Sequence, residues 1–268
     1  MECATRPTVA LWCFLFLGPP ACAAGKPAQT QPPSAAVPAS APSRSELTAE
    51  ERADIFMARK NYEGAVDYYQ RALRLQNSPT DSARLWNKIG IAYQQDNNYS
   101  AARKAYKRSI HFDQKFSDPW NNLGTTYFLS NKFKQSLKYY EHAIALEPKS
   151  ALFHLNLGTS FSRMKKYDQA VKEYQVALTL DPNVLAQHGY GGSVIQPQHP
   201  DVDYFYNMAK VFASLGRTDE AIRYLRRAFE EGFKNLKRLD ADPDFRKISK
   251  DPSYVALRKS PPVGIKED

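Results

Sequence analysis

Four residues share one slot along the chain. Lys88, Asn122 and Asn156 each stand two residues ahead of a glycine (Gly90, Gly124, Gly158), and Asn207 stands two ahead of Ala209. An asparagine carboxamide both donates and accepts hydrogen bonds. A row of them could therefore hold an extended peptide backbone without reading its side chains, each bond adding about 0.5–1.5 kcal/mol. The other use of such a row is internal, fixing the packing of adjacent elements. Around these positions Asn87, Asn121, Thr125, Phe128, Thr159, Arg163, Tyr206 and Lys210 form a mixed polar and aromatic set.

A second constellation is basic. "RKAYKRSIH" places Arg103, Lys104, Lys107 and Arg108 on one helical face, opposite Ala102 and Tyr106, and the stretch 83–116 carries seven Lys/Arg against two Asp, a net +5. Such a face suits an anionic lipid, a cell-wall polymer or a nucleic acid, or is simply well solvated.

Other chemistries find no residues. The five histidines do not cluster; His188 and His199 flank a loop, and His154 reads as packing. No glycine-rich phosphate loop opens a helix, and no HExxH stands in the chain; "HGYGG" lacks the strand–turn–helix context a nucleotide loop requires. No nucleophile is paired with a base. The expectation is a noncatalytic chain without metal or cofactor.

The 268 residues are 43% hydrophobic and 24% charged, with a net charge of +9, which suits a soluble globular body. All three cysteines, Cys3, Cys13 and Cys22, fall in the first 22 residues, so the body needs no disulfide and is at ease in an oxidising compartment. The start of the chain points the same way. Arg6 precedes an apolar run from Val9 to Leu17, Pro19 and Pro20 break it, and Ala21-Cys22-Ala23 offers small residues at A-x-A spacing. Residues 1–24 read as a secretory signal peptide cut after Ala23 or Ala24. The run is short for a membrane span. Pro19 and Pro20 stand where a bacterial lipobox wants Leu and a small residue, which argues against acylation at Cys22. Residues 25–45, rich in Pro, Ala and Ser, cannot bury a core and read as a disordered tether.

Beyond the tether the chain repeats every 34 residues. Trp86, Trp120 and His154 share a slot; so do Gly90, Gly124 and Gly158; Tyr93, Tyr127 and Phe161; Ala102, Ser136 and Ala170; Tyr106, Tyr140 and Tyr174; and Ser109, Ala143 and Ala177. Pro148 and Pro182 close two of the units. A copy led by Ala53 and Phe56 sits 37 residues earlier, and one led by Ala209 and Phe212 sits 51 later. The larger shift implies an insertion at 185–201, whose "HGYGGSVIQPQHP" reads as a loop. Such a period is the signature of a stacked helical array.

The pattern resembles the tetratricopeptide repeat, whose opening W-x2-L-G-x2-Y is matched residue for residue by "WNNLGTTY". The resemblance covers residues 46–232 as five units: 46–79, 83–116, 117–150, 151–184 and 202–232. It implies an all-α, right-handed superhelical α-solenoid of helix pairs. It also implies that the glycine lets the second helix cross closely, with Ala143 and Ala177 serving the same contact and Tyr127 and Tyr140 filling the space between units. First helices line a concave groove in this family. Lys88, Asn121, Asn122, Thr125, Phe128, Asn156, Thr159, Arg163, Tyr206, Asn207 and Lys210 are thus the candidate partner-binding residues. The family's carboxylate clamp for acidic chain ends is not expected, because Asn122 and Asn156 occupy slots where Arg is wanted.

After Gly232, two Asp-Pro pairs (Asp242-Pro243, Asp251-Pro252) are helix starts. They predict a capping segment, 233–260, that covers the last unit with Phe245, Ile248, Tyr254 and Leu257, followed by a disordered tail, 261–268. The reading is an exported bacterial scaffold of the periplasm or secreted space, holding a protein or peptide in its groove. The alternative is an envelope-surface binder that meets an anionic polymer or lipid through Arg103, Lys104, Lys107 and Arg108 on the convex back. Export disfavours nucleic acid. A third reading is self-association through the fifth unit and the long loop.

Overall fold

The computed structural model describes residues 47–186 and 201–262. The expected signal peptide and tether, most of the 185–201 insertion with His188 and His199, and the tail from residue 263 lie outside the described residues. Helices come in consecutive hairpins: α1 (Ala49–Ala58) with α2 (Tyr62–Arg74), α3 (Pro79–Gln95) with α4 (Tyr99–Phe112), α5 (Ser117–Leu129) with α6 (Phe133–Leu146), α7 (Ala151–Arg163) with α8 (Tyr167–Leu180), and α9 (Val202–Ser214) with α10 (Thr218–Glu230). No strand occurs among the described residues. Each hairpin packs on the next, which makes an α-solenoid.

The turn inside each hairpin is made the same way. Lys60, Asn97, Asn131 and Lys165 stand at φ 57–59°, and Gly216 at 72°. The next residue's N–H then reaches back to the carbonyl five positions earlier, as from Asn61 to Phe56 and from Lys166 to Phe161 (both 2.9 Å). This closes a Schellman-type cap. A left-handed residue with a side chain costs about 1–2 kcal/mol, so four of the five hairpins carry that strain to hold the reversal.

Within hairpins the close approach is a ring on a glycine. A Cβ added at Gly90 would come within 2.4 Å of the Tyr106 ring, at Gly124 within 2.8 Å of Tyr140, and at Gly158 within 2.8 Å of Tyr174. Each ring is buried and its hydroxyl is tied back to the first helix: Tyr106 Oη donates to Gln94 Oε1 (3.0 Å), Tyr140 Oη meets Thr125 Oγ1 (3.1 Å), and Tyr174 Oη donates to Thr159 Oγ1 (3.4 Å). This corrects the sequence reading. Tyr140 packs inside its own hairpin rather than between units, and the tyrosine, not Ala143, is what the glycine admits. Tyr127 stacks on Tyr139 at 5.0 Å within its own unit and also meets the preceding unit, its ring lying under the Arg103 guanidinium.

The fifth hairpin breaks the pattern. Ordinary neighbours are antiparallel: Arg103, early in α4, donates to Ser130 at the end of α5 (3.2 Å). Along α8 the order is reversed. Tyr167 at its start lies by Asp201 and Asp203 at the start of α9. Gln175 donates to Ser214 (2.7 Å), and Arg217 donates to the Pro182 carbonyl (2.8 Å). So α9 runs parallel to α8. A short turn cannot connect parallel neighbours, and the ends that residues 187–200 must join stand at opposite ends of α8.

The C-terminal segment has three short elements: α11 (Leu236–Ala241), a 3-10 turn (Pro243–Ile248) and α12 (Pro252–Lys259). Asp242 and Asp251 cap the last two with their side chains. Phe245, Ile248, Tyr254 and Leu257 are buried in one cluster with α9 and α10.

Gly90→Ala and Gly124→Ala should both lower stability in urea unfolding, by roughly 1–3 kcal/mol, because the added methyl overpacks a fixed ring. The Gly90 change should cost more, its ring being nearer. Equal and negligible costs would show that the rings shift freely.

Candidate functional site

Inner helices α1, α3, α5 and α7 are joined side chain to side chain. Glu50 on α1 meets Arg84 and Lys88 on α3, the latter at 2.9 Å, and Lys88 reaches Asp54 at 2.8 Å. Asp54 also accepts from Tyr69 of α2. Arg84, then Lys88, hold the Glu50 carboxyl at about 2, well below its ordinary 4.5, against the opposing effect of burial.

Further along, the carboxamides form a relay. Asn156 Nδ2 donates to Asn121 Oδ1 (3.0 Å), Asn121 Nδ2 to Asn122 Oδ1 (3.3 Å), and Asn122 Nδ2 to Asn87 Oδ1 (3.1 Å). Four asparagines thus bond in one direction across three units. The adjacent pair Asn121-Asn122 is the step that passes the bond sideways on α5. All four are buried.

The structure sorts the other expected groove residues. Thr125 and Thr159 are buried, bond back to the carbonyls of Asn121 and Leu155, and anchor the tyrosines. Phe128 is core, edge-on to Phe133 at 5.2 Å. Arg163 is exposed at the end of α7, its guanidinium over the Phe133 ring at 5.4 Å. Tyr206 and Lys210 are claimed by the C-terminal segment: Tyr206 Oη donates to Asp242 (3.0 Å), and Lys210 pairs with Asp242 (3.1 Å) and Asp244 (3.5 Å). Asn207 is buried and donates to the Asp203 carbonyl (2.6 Å). These three are therefore not open groove residues, because α9 is turned around and the 3-10 turn packs on it. Asp242, which the sequence marked only as a helix cap, is the residue that takes both side chains.

On the convex back, Lys104, Lys107 and Arg108 are exposed. Arg103 is not part of that surface: it lies over the Tyr127 ring at 5.4 Å and donates to Ser130, bridging the second and third units. His154 repeats what the tryptophan does in its slot. Trp120 Nε1 donates to the Gln114 carbonyl (3.1 Å), and His154 Nε2 donates to the Pro148 carbonyl (3.0 Å), six residues back in each case. Its Nδ1 faces Glu173 at 2.7 Å.

No group of three or more metal-ligating side chains occurs among the described residues, and no helix there is long and apolar enough to cross a membrane. Repeated helix hairpins packed pair on pair are the architecture of a protein–protein interaction scaffold. Models of the tetratricopeptide repeat match residues 45–115, 117–150, 139–172 and 202–231, and the chain belongs to that family. No curated protein sequence matches it. Among solved structures it is similar to MamA, at 18% identity over 67% of this chain and 93% of that one, with a TM-score of 0.47. It is also similar to YrrB, described as a TPR protein with an unusual peptide-binding site, at 20% identity over 72% and 89%, TM-score 0.45. A third likeness is to the first TPR of Spaghetti (RPAP3) bound to an HSP90 peptide, at 23% over 39% and 82%, TM-score 0.38.

Because Asn121 both donates and accepts in the relay, Asn121→Ala strands two buried groups, each costing about 1–3 kcal/mol. In a double-mutant cycle with Asn156→Ala, the pair should cost less than the sum by about 0.5–3 kcal/mol, since both break one bond. Strict additivity in urea unfolding would show that the bond is not formed.

Glu50 binds its proton more weakly folded than unfolded. Its contribution is complete above pH about 4.5 and is lost as pH falls toward about 2. Between those values wild type should lose more stability than Glu50→Gln, measured by denaturant midpoint. Parallel losses would mean the Arg84 pair adds nothing.

Proposed function

We propose that this protein is a noncatalytic adaptor of the bacterial cell envelope that holds an extended peptide or a partner helix along the concave face of α1, α3, α5 and α7. The observation that carries this reading is the run of side-chain bonds between successive inner helices, from Glu50–Arg84 through Asn87–Asn122 to Asn121–Asn156. It fastens separate units into one continuous face. Asn122 and Asn156, buried, fasten the units beneath this face, and the more accessible Lys88 and Arg163 around them meet the partner. At one end of that face Lys88 is paired with Glu50 and Asp54, so both signs of charge stand there. The three fifth-unit residues do not contribute, and the face is four hairpins long. The envelope setting rests on the signal-like residues 1–24 and on a body free of cysteine.

The test is crosslinking capture from envelope extract with the full chain. Wild type runs beside an inner-face variant, Lys88→Ala/Arg163→Ala, and beside an outer-face control, Lys104→Glu/Lys107→Glu/Arg108→Glu, all checked to be fully folded at the assay temperature. The groove reading expects a discrete protein captured by wild type and by the control, and lost by the inner-face variant. Loss in the control alone overturns it. For the setting, residues 1–46 fused to a β-lactamase should confer ampicillin resistance; a sensitive strain with intact intracellular fusion would refute export.

A further inference from the structure

The back of the solenoid carries an arrangement that the groove reading does not use. Residues 97–112, which span α4, contain no Asp or Glu. Lys104, Lys107 and Arg108 point outward from α4, and none enters an ion pair among the described residues. Three other exposed arginines are by contrast paired: Arg71 with Asp67 at 2.7 Å, Arg227 with Glu231 at 2.8 Å, Arg258 with Asp240 at 2.5 Å. The acids nearest in sequence to α4 are Asp96 and Asp113, one at each end. On the following outer helix, Lys134 and Lys138 are also exposed.

Beside these cations lies a row of exposed apolar side chains. Leu75 is 78% exposed, Phe112 40%, Leu146 36% and Leu180 39%. Each sits at the C-terminal end of an outer helix, α2, α4, α6 or α8, in the slot that the array repeats. They therefore line one edge of the convex back. Leu75 directly follows Arg74, and Phe112 follows His111.

We propose that the convex back of the first two units is a docking surface for an anionic lipid bilayer, with Lys104, Lys107 and Arg108 meeting headgroups and Leu75 and Phe112 entering the interface. Charge alone would suit any polyanion. The apolar pair decides among them: a soluble polyanion offers those side chains nothing, whereas a bilayer surface takes up both kinds of group. Leu75 is the most exposed large apolar side chain among the described residues, and it stands in the unit next to the uncompensated helix.

The test is flotation of the full chain with vesicles of phosphatidylcholine, alone or with about one third phosphatidylglycerol, and separately its binding to soluble polyphosphate. Binding to the anionic vesicles only is expected. Lys104→Glu/Lys107→Glu/Arg108→Glu should weaken it by roughly 100-fold or more, since each basic residue near such a surface adds about one kcal/mol. Leu75→Ser/Phe112→Ser should weaken vesicle binding about tenfold and leave polyphosphate binding unchanged. Equal flotation on neutral vesicles, no flotation, or an apolar variant that floats like wild type each overturns the proposal; the last assigns the cations to a soluble polyanion. All substituted side chains are exposed and absent from the inner face, so failure here leaves the groove reading standing.

Discussion

Everything in this solenoid depends on how closely two helices of a hairpin may approach. The distance is set by a tyrosine ring lying on a glycine, three times over, at Gly90, Gly124 and Gly158. A glycine inside a helix weakens it by roughly 1 kcal/mol relative to alanine. That local loss is offset by burying a whole aromatic ring against the backbone, with its hydroxyl bonded to Gln94, Thr125 or Thr159. Because the same contact recurs, successive hairpins have the same shape. Identical shapes stack in register, and register is what brings Asn87, Asn121, Asn122 and Asn156 within bonding distance of one another. The relay is a consequence of the ring seats, though no residue takes part in both.

The relay also lies where hydrophobic packing is least continuous. One buried cluster runs from Ala53 to Ala105, in the first two units; another runs from Phe128 to Leu257. Between them stand only Ala102, Tyr106 and Leu123 and the side chains packed on them. The Asn122–Asn87 bond crosses that junction, and so does Arg103 over the Tyr127 ring. Polar bonds in a buried setting demand correct geometry in a way that apolar contact does not. The middle of the array is therefore held by specific pairs and its two ends by bulk burial.

The repeat, the hairpins, the Asp-Pro helix starts and the buried faces of Phe245 and Leu257 were legible from spacing and residue type, because each is a local or strictly periodic property. So was the outward face of Lys104, Lys107 and Arg108. What periodicity could not tell was which surface a periodic residue faces. Thr125 and Thr159 repeat as faithfully as Asn122 and Asn156, yet they serve the tyrosines. Arg103 shares a run with Lys104 and turns instead to the next unit. The second asparagine of the relay was visible as "NN" at Asn121-Asn122, but its meaning needs the neighbouring helix at bonding distance. The reversal of α9 was harder still. Sequence showed an insertion and a displaced copy, and both a looped-out and an inverted hairpin satisfy the same spacing. A weak signal existed in Asp201, Asp203 and Asp242: acids flanking a hairpin whose side chains must find Tyr206, Lys210 and Arg238 somewhere.

That reversal, with Leu155, explains why the polar face ends where it does. In an antiparallel array each first helix begins at the same edge, so its slots align with those of the helix before. Turning α9 parallel to α8 puts its slots out of register with α7. Asn207, though it occupies the repeated position, bonds to its own helix at Asp203, and the slot on α7 equivalent to the acceptors Asn87 and Asn121 holds Leu155. Its neighbours Tyr206 and Lys210 would then be buried without partners, and the 3-10 turn supplies them through Asp242 and Asp244. The inverted hairpin and the capping segment therefore form one device. Leu155 ends the ladder, inversion turns α9 away from it, and the cap satisfies the polar groups that α9 then presents.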